Sequence, residues 1–493
     1  MHGSSSVSPE TPSNEARLTP EKGGSVHLLG SMAQSVGLIG PSAGAGIIVG
    51  VVFGIVGPLG WITWLIGTAA LCCVAYAIVL LARRFLTTGG LYPIAGKAGG
   101  SAAGFFTAYG ALLWLIVAAP VVALGAGIFI MNFLNLHAFG VSQSNGLIVT
   151  FAILTSVFAA WVAYAGIRIS VEILLGIELL TGGVIILLLV ITLFKHGLID
   201  HAQFHSGGIG FQTLMSGIVL VVFAFGGFES ATVLGQEAVA GRRNIPLAVI
   251  GSVVVAGLFL AFTQYVTVLG FSGSSLDLAS SSNALGDLAH LDGIGWYSYI
   301  VSGGLVLAVV ANNIALFNAG SRMLFTLPRE GVPGNWLLWV SRKHHTPVAG
   351  ILTFLSVNVG TMVVIAIWKL TPLNAYGDLA ALSGYGVIVM YVVTCIAAII
   401  LLWKLNPKGI AGIVCSLVGG GIMCYGMYTY LHPFPKYPIN VFAWIFLGSA
   451  ALSVVVYLVM RARGSTAFAG ISVDEDTARE LQAVAEPAGE FPV

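Results

Sequence analysis

The sequence predicts an all-α integral membrane protein with twelve transmembrane helices, and three observations predict it. Of the 493 residues, 57% are hydrophobic and only 8% are charged, with a mean hydropathy of +0.96; soluble domains carry about 25% charged residues. Twelve apolar runs, each long enough to cross roughly 30 Å of hydrocarbon, lie along the chain with polar punctuation between them. Lys and Arg, finally, fall almost wholly in alternate connections, as the positive-inside rule requires. A soluble enzyme or a nucleic-acid-binding protein is excluded by this composition, and the net charge of +1 points to no charged partner.

The spans, in order, are 28–55, 58–82, 102–131, 147–165, 171–194, 212–235, 247–270, 294–318, 348–368, 376–403, 410–430 and 438–460. With the N-terminus cytoplasmic, only Lys195, Lys369 and Lys436 of the 20 Lys and Arg residues lie outside. Both termini are therefore expected inside, in a multi-pass protein of the plasma membrane. Residues 1–27, polar and rich in Ser, Pro and Glu, read as a disordered cytoplasmic tail. A core of ten helices follows over 28–403, helices 11 and 12 occupy 404–460, and the acidic stretch 461–493 reads as a cytoplasmic C-terminal tail. The five cysteines (Cys72, Cys73, Cys395, Cys415 and Cys424) sit in apolar stretches with neither metal-ligand spacing nor a disulfide framework.

Two spans are not built simply to cross lipid. Span 1 is interrupted by "GPSAGAG" (40–46) and span 6 by "GGFE" (226–229). A central Gly costs about 1 kcal/mol of helix propensity relative to Ala, and an acid at bilayer depth costs roughly 2.5–3.5 kcal/mol on insertion scales. Glycine-broken spans five helices apart point to an inverted five-plus-five repeat, 28–194 and 212–403, with its site at the midplane. Unwinding leaves free N–H groups at the start of the second half-helix, an anion site suited to a carboxylate, and freed carbonyls at the end of the first suit an ammonium. Non-helical backbone at this depth must line a cavity or be buried in protein.

The candidate ligand contacts are thus Gly40, Pro41, Ser42, Ala43, Gly44, Ala45 and Gly46 in span 1, with Phe223, Ala224, Phe225, Gly226 and Gly227 in span 6. Phe223, just ahead of the second break, is placed to gate a ligand; Phe225 and Phe228 divide between ligand contact and core packing. Glu229 either holds the break open by pairing with donors or carries a proton, and Glu178, in "GIELL", is the second deep carboxylate. Asn312 and Asn313 are the polar pair of span 8, and Trp114 of span 3 faces either cavity or lipid.

These residues resemble the amino acid–polyamine–organocation (APC) permeases from about residue 28 to 460. The resemblance is carried by the break of span 1, by "RRFLTTGGLYPIAGKAGGSAAGF" (83–105), by "FGGFESATVLGQEAVAGRRNIPLAV" (225–249), and by "FNAGSRMLFTLPREGVPGNW" (317–336) with "HTPVAG" (345–350). It implies a LeuT-like inverted repeat with broken helices 1 and 6, alternating access, and an amino acid substrate or, as the alternative, a polyamine or other small organic amine. It also implies that the span 1 break takes the substrate carboxylate and the span 6 break its amino group, with Phe223 at the aromatic gate and Glu229 at the family's span 6 acid. Span 5 has no Lys before Lys195, where proton-coupled members can carry one, and span 8 offers Asn312 and Asn313 where sodium-coupled relatives place hydroxyls. Proton coupling or exchange is therefore expected ahead of sodium, with no cofactor, no metal and no enzymatic activity.

Other classes fit less well. A major facilitator protein would carry an Asp-Arg loop after span 2, and "ARRFLTTGGLYP" has no Asp. A channel would show a repeated filter loop or a charged ring. The histidines of "KHGLIDHAQFHSGG" (His196, His201, His205, with Asp200) lack the spacing of a helical metal face and read as solvated.

Overall fold

The computed structural model describes residues 26–85, 90–136, 144–166, 171–205, 208–234, 238–405, 410–435, 437 and 439–463. Most of both predicted tails lies outside these residues. Sixteen α-helices run through the described chain: α1 (Leu28–Ile39), α2 (Pro41–Val56), α3 (Gly60–Ala82), α4 (Leu91–Gly99), α5 (Ser101–Leu136), α6 (Asn145–Tyr164), α7 (Val171–His196), α8 (Phe211–Ser216), α9 (Ile218–Ala224), α10 (Gly241–Phe271), α11 (Ala284–Leu291), α12 (Tyr297–Thr326), α13 (Val348–Ile367), α14 (Pro372–Leu405), α15 (Ile410–Leu431) and α16 (Ile439–Ala462). No sheet forms among the described residues; two isolated bridges, Val26 with Ala238 and Val340 with Pro347, are the strand-like contacts.

Eleven segments are long and apolar enough to cross a membrane among the described residues, and the first of them runs over Leu28–Ala82. That stretch holds two of the expected spans. Gly57 turns the chain between them at φ 77°, followed by a short 3-10 turn through Leu59. Two short helices, α4 and α11, lie where only loops were expected. The long helices are apolar on every side, as helices buried in protein and lipid are, so the core is arranged by close backbone approach rather than by amphipathic faces.

The seam between α5 and α14 illustrates this. A Cβ on Gly110 would lie 2.6 Å from the Met390 nitrogen, and one on Gly386 would lie 2.6 Å from the Trp114 nitrogen. Only hydrogen at these positions lets the two backbones touch. The Ser383 hydroxyl donates to the Trp114 carbonyl at 3.0 Å across the same seam, which fixes the level of Trp114 against α14.

On one face of the bundle a buried carboxylate ties three elements together. Asp292, between α11 and α12, accepts from the Thr192 hydroxyl at 2.6 Å and pairs with His196 Nε2 at 3.0 Å, while Lys195 Nζ donates to its carbonyl. His196 is thus part of a latch at the end of α7 and is not a free loop residue.

Candidate functional site

The first break is shorter than its sequence suggests. Residues 41–46 were expected to be unwound with Gly40, but they are the first turns of α2, and Gly40 alone leaves the helix, at φ 59° and ψ 55°. The reason is Pro41: a proline breaks a helix interior but suits its first position, where its missing N–H is not needed. Pro41 having no donor, Ser42 and Ala43 carry the first N–H groups that α2 cannot satisfy itself.

Both ends of this break are covered by side chains from other helices. Glu178, 6% exposed on α7, accepts from the Ser42 N–H at 3.2 Å through Oε2; the Ser42 hydroxyl reaches the Glu178 carbonyl at 3.5 Å. At the opposite end, Asn312 of α12 donates through Nδ2 to the carbonyls of Gly37 (3.3 Å) and Leu38 (3.0 Å), the last turn of α1. Two carbonyl acceptors require the NH₂ side of the amide, so Asn312 stands as a donor there and not as an oxygen ligand. A Cβ on Gly40 would lie 2.7 Å from that same nitrogen. Asn313, one residue on, does not join the site: it is fully buried and neither of its amide atoms has a hydrogen-bond partner among the described residues.

The second break is longer, and the contacts at its two glycines are steric. After α9 the chain passes through Phe225, Gly226 and Gly227 into a 3-10 helix over Phe228–Leu234, which exceeds the usual length of such segments. Gly227 has φ 103°, a conformation open to glycine. Its Cα lies against Leu38, where a Cβ would come within 2.7 Å of Leu38 Cγ; a Cβ on Gly226 would come within 2.5 Å of Trp114 Nε1. The two breaks therefore meet through Leu38 and Gly227, and the Trp114 indole lies over Gly226. Trp114 is 4% exposed and so faces the protein interior, not lipid.

Of the three phenylalanines, Phe225 packs into the core beside Trp64 (ring centroids 6.2 Å), and Phe228 packs on Tyr391 (4.9 Å). Phe223 and Ala224, at the end of α9, keep a small exposure.

Glu229 is held on α14. The Tyr391 hydroxyl donates to Glu229 Oε2 at 2.6 Å, with both residues buried, a distance in the range of charge-assisted O–H···O⁻ bonds. Tyr391 escaped sequence reading, although a phenol inside an apolar span signals a buried partner for its hydroxyl. Ser35 escaped it too: its hydroxyl donates to the Phe228 carbonyl at 2.7 Å and accepts from the Ala231 N–H at 3.2 Å, while Ser230 donates to the Gln34 carbonyl at 3.1 Å. These bonds fasten α1 to the segment after the second break. Among the described residues no group of three or more His, Cys, Asp or Glu side chains is placed to hold a metal ion.

Against this geometry, a family model described as amino acid permease matches residues 27–469. The chain belongs to the amino acid permease family. This permease is also similar to human cationic amino acid transporter 4, 28% identical over 29% of the chain and 22% of that protein. It is 27% identical to the branched-chain amino acid permease BcaP of Bacillus subtilis, over 39% of each, and 24% identical to an uncharacterised transporter of Mycobacterium bovis, over 67% of the chain and 70% of that protein. The matched regions thus span well under two thirds of the first two relatives. The stretches that resemble APC permeases in the sequence all lie within the matched range.

Proposed function

We propose that this permease is a secondary active transporter that moves an amino acid across the plasma membrane by alternating access, coupled to protons or working as an exchanger. The reading takes Leu28–Ala82 as two crossings, which makes twelve, and arranges the first ten as a LeuT-like inverted repeat with both termini cytoplasmic. The observation that carries it is the meeting of two broken helices at Leu38, Gly226 and Gly227, with Trp114 laid over the junction. Ends of half-helices buried in protein are what a substrate bearing opposite charges needs: N–H groups at the start of α2 for its carboxylate, carbonyls at the end of α9 for its ammonium.

In this account the substrate lies between Gly40–Gly46 and Phe223–Gly227. Phe223 covers it, Asn312 holds the end of α1, and Glu229 and Glu178 are the residues available for coupling. Proton coupling is favoured over sodium by Asn312, whose amide hydrogens occupy the α1 carbonyls that a cation would use. Branched-chain and cationic amino acids are the first substrates to try, since relatives bear those names. A second reading, an organic amine or polyamine, is favoured by Glu178, which already supplies α2 with a carboxylate.

Uptake into proteoliposomes tests the proposal, using a panel of amino acids and amines under separate proton and sodium gradients. Accumulation of at least one amino acid driven by a proton gradient, or by counterflow, is expected. Competition by amines alone would replace the amino acid with the second reading, and no uptake of either class would overturn both.

A further inference from the structure

The function proposed above puts a substrate carboxylate at the N-terminus of α2, yet the structure has a carboxylate there already. Glu178 approaches from α7, a different helix, and its Oε2 takes the Ser42 N–H at 3.2 Å. Glu178 is buried at 6% exposure, so the charge cannot be screened by water from a few ångströms away. Ser42 is the one described residue whose donor bonds its carboxylate.

Nor, among the described residues, is Glu178 paired with a Lys, Arg or His side chain. The helices packed on α7 are α1, α2, α10, α11 and α12. Neither α1 nor α2 contains a titratable side chain. The groups on the others lie toward helix ends: Arg242, Arg243 and Tyr265 on α10, Asp287 and His290 on α11, and Tyr297, Tyr299 and Arg322 on α12. Tyr297 donates to the Val184 carbonyl, Tyr265 to the Leu198 carbonyl, and Asp287 accepts from Ser281. On α7 itself, Glu172 lies in the first turn and Lys195 and His196 in the last.

Two ionised carboxylates cannot occupy one buried half-helix end without a cation between them; such pairs hold a single proton in common. We propose that Glu178 and the carboxylate of a bound amino acid share one proton at the N-terminus of α2, so that substrate binding takes up a proton and ionised Glu178 excludes an ionised substrate. The proton comes from the aqueous side to which the site is open, and no bond other than O–H forms or breaks. On release of the substrate the proton leaves, and Glu178 returns to the Ser42 N–H. Coupling then follows from competition for one donor, and needs neither a sodium ion nor a basic residue in span 5.

The sign is fixed. Affinity for an amino acid falls as pH rises, by about tenfold per unit once free Glu178 is ionised, because one proton is linked to each binding event. An amine that lacks the carboxylate has no such requirement, and ionised Glu178 favours it. The test measures binding to purified full-length protein between pH 5.5 and 8.5, together with proton uptake in weak buffer. The probes are leucine with isoamylamine and arginine with agmatine, each pair differing by the carboxylate alone.

Expected for the wild type is close to one proton taken up per amino acid bound, and none for the matching amine. Glu178→Gln should bind the amino acid with no pH slope and no proton uptake. Retention of the wild-type slope in Glu178→Gln overturns the proposal while leaving amino acid transport standing. If that variant does not fold, the wild-type comparison decides alone: equal proton uptake for amino acid and amine overturns it. If the wild type binds neither amino acid at any pH but proteoliposomes take up others from the panel, the same measurements on a transported amino acid and its amine decide. If no amino acid is bound or taken up, the transport reading falls and this inference falls with it.

Discussion

The two breaks solve the same problem by different means. At the first, a single residue leaves the helix and polar side chains cover both exposed ends, Glu178 on the N–H side and Asn312 on the carbonyl side. At the second, ten residues from Phe225 to Leu234 depart from α-helix, and the exposed backbone is covered mainly by hydrocarbon and indole: Leu38 on Gly227 and Trp114 on Gly226. One break is held by charge and hydrogen bonds, so it should answer to pH and to the charge of a ligand. The other is held at its two glycines by shape, so there it should answer to size.

The largest effect should come from the steric side. Gly226→Ala places a methyl 2.5 Å from Trp114 Nε1, and such overpacking costs about 1–3 kcal/mol. Carried into the transport step, that cost should lower uptake by about fivefold or more, with partial recovery in the double variant Gly226→Ala, Trp114→Leu; a double variant no better than the single one would show that Trp114 is not what Gly226 makes room for. Next is the polar side. Asn312→Leu removes the donor from two buried carbonyls at the end of α1, a loss of about 1–3 kcal/mol, and should lower the melting temperature in detergent. Added sodium should not restore it, and restoration by sodium would indicate that a cation can occupy those carbonyls.

An effect of comparable size separates coupling from anchoring. Tyr391→Phe leaves Glu229 without its 2.6 Å donor and should destabilise by about 1.5–3 kcal/mol, the range for bonds to charged groups. Glu229→Gln keeps an acceptor for the same hydroxyl and should be milder. If Glu229→Gln leaves the pH profile of uptake unchanged while Tyr391→Phe lowers thermal stability, Glu229 anchors the second break to α14 and does not carry a proton. The mildest change is Ser35→Ala, about 1 kcal/mol, read as a small loss of thermal stability as α1 loosens from the Phe228 segment.

The sequence made the breaks visible because Gly226, Gly227 and Glu229 are costly in a membrane span, and costs show in a single chain. It overstated the first break, since Pro41 looks the same whether it interrupts a helix or begins one. What it could not show is rotation. Helices apolar on every side carry no amphipathic pattern, so nothing in "LLWLIV" turned Trp114 inward, and nothing in "VVANNIALF" said that Asn312 faces α1 while Asn313 does not. Tyr391 and Ser35 are ordinary in apolar helices, and their roles come from partners more than 160 positions away in the chain. The long helices were legible within a few residues at most ends; α4 and α11, short and outside the bilayer pattern, were not.

That the two breaks form one amino acid site is tested most directly by substrate protection. Ala43→Cys and Ala224→Cys, each in a background lacking the five native cysteines, would be labelled with a small methanethiosulfonate reagent with and without a transported amino acid. The account predicts that the same amino acid slows labelling at both positions, one on each break. An amino acid that is transported yet protects neither cysteine would contradict it.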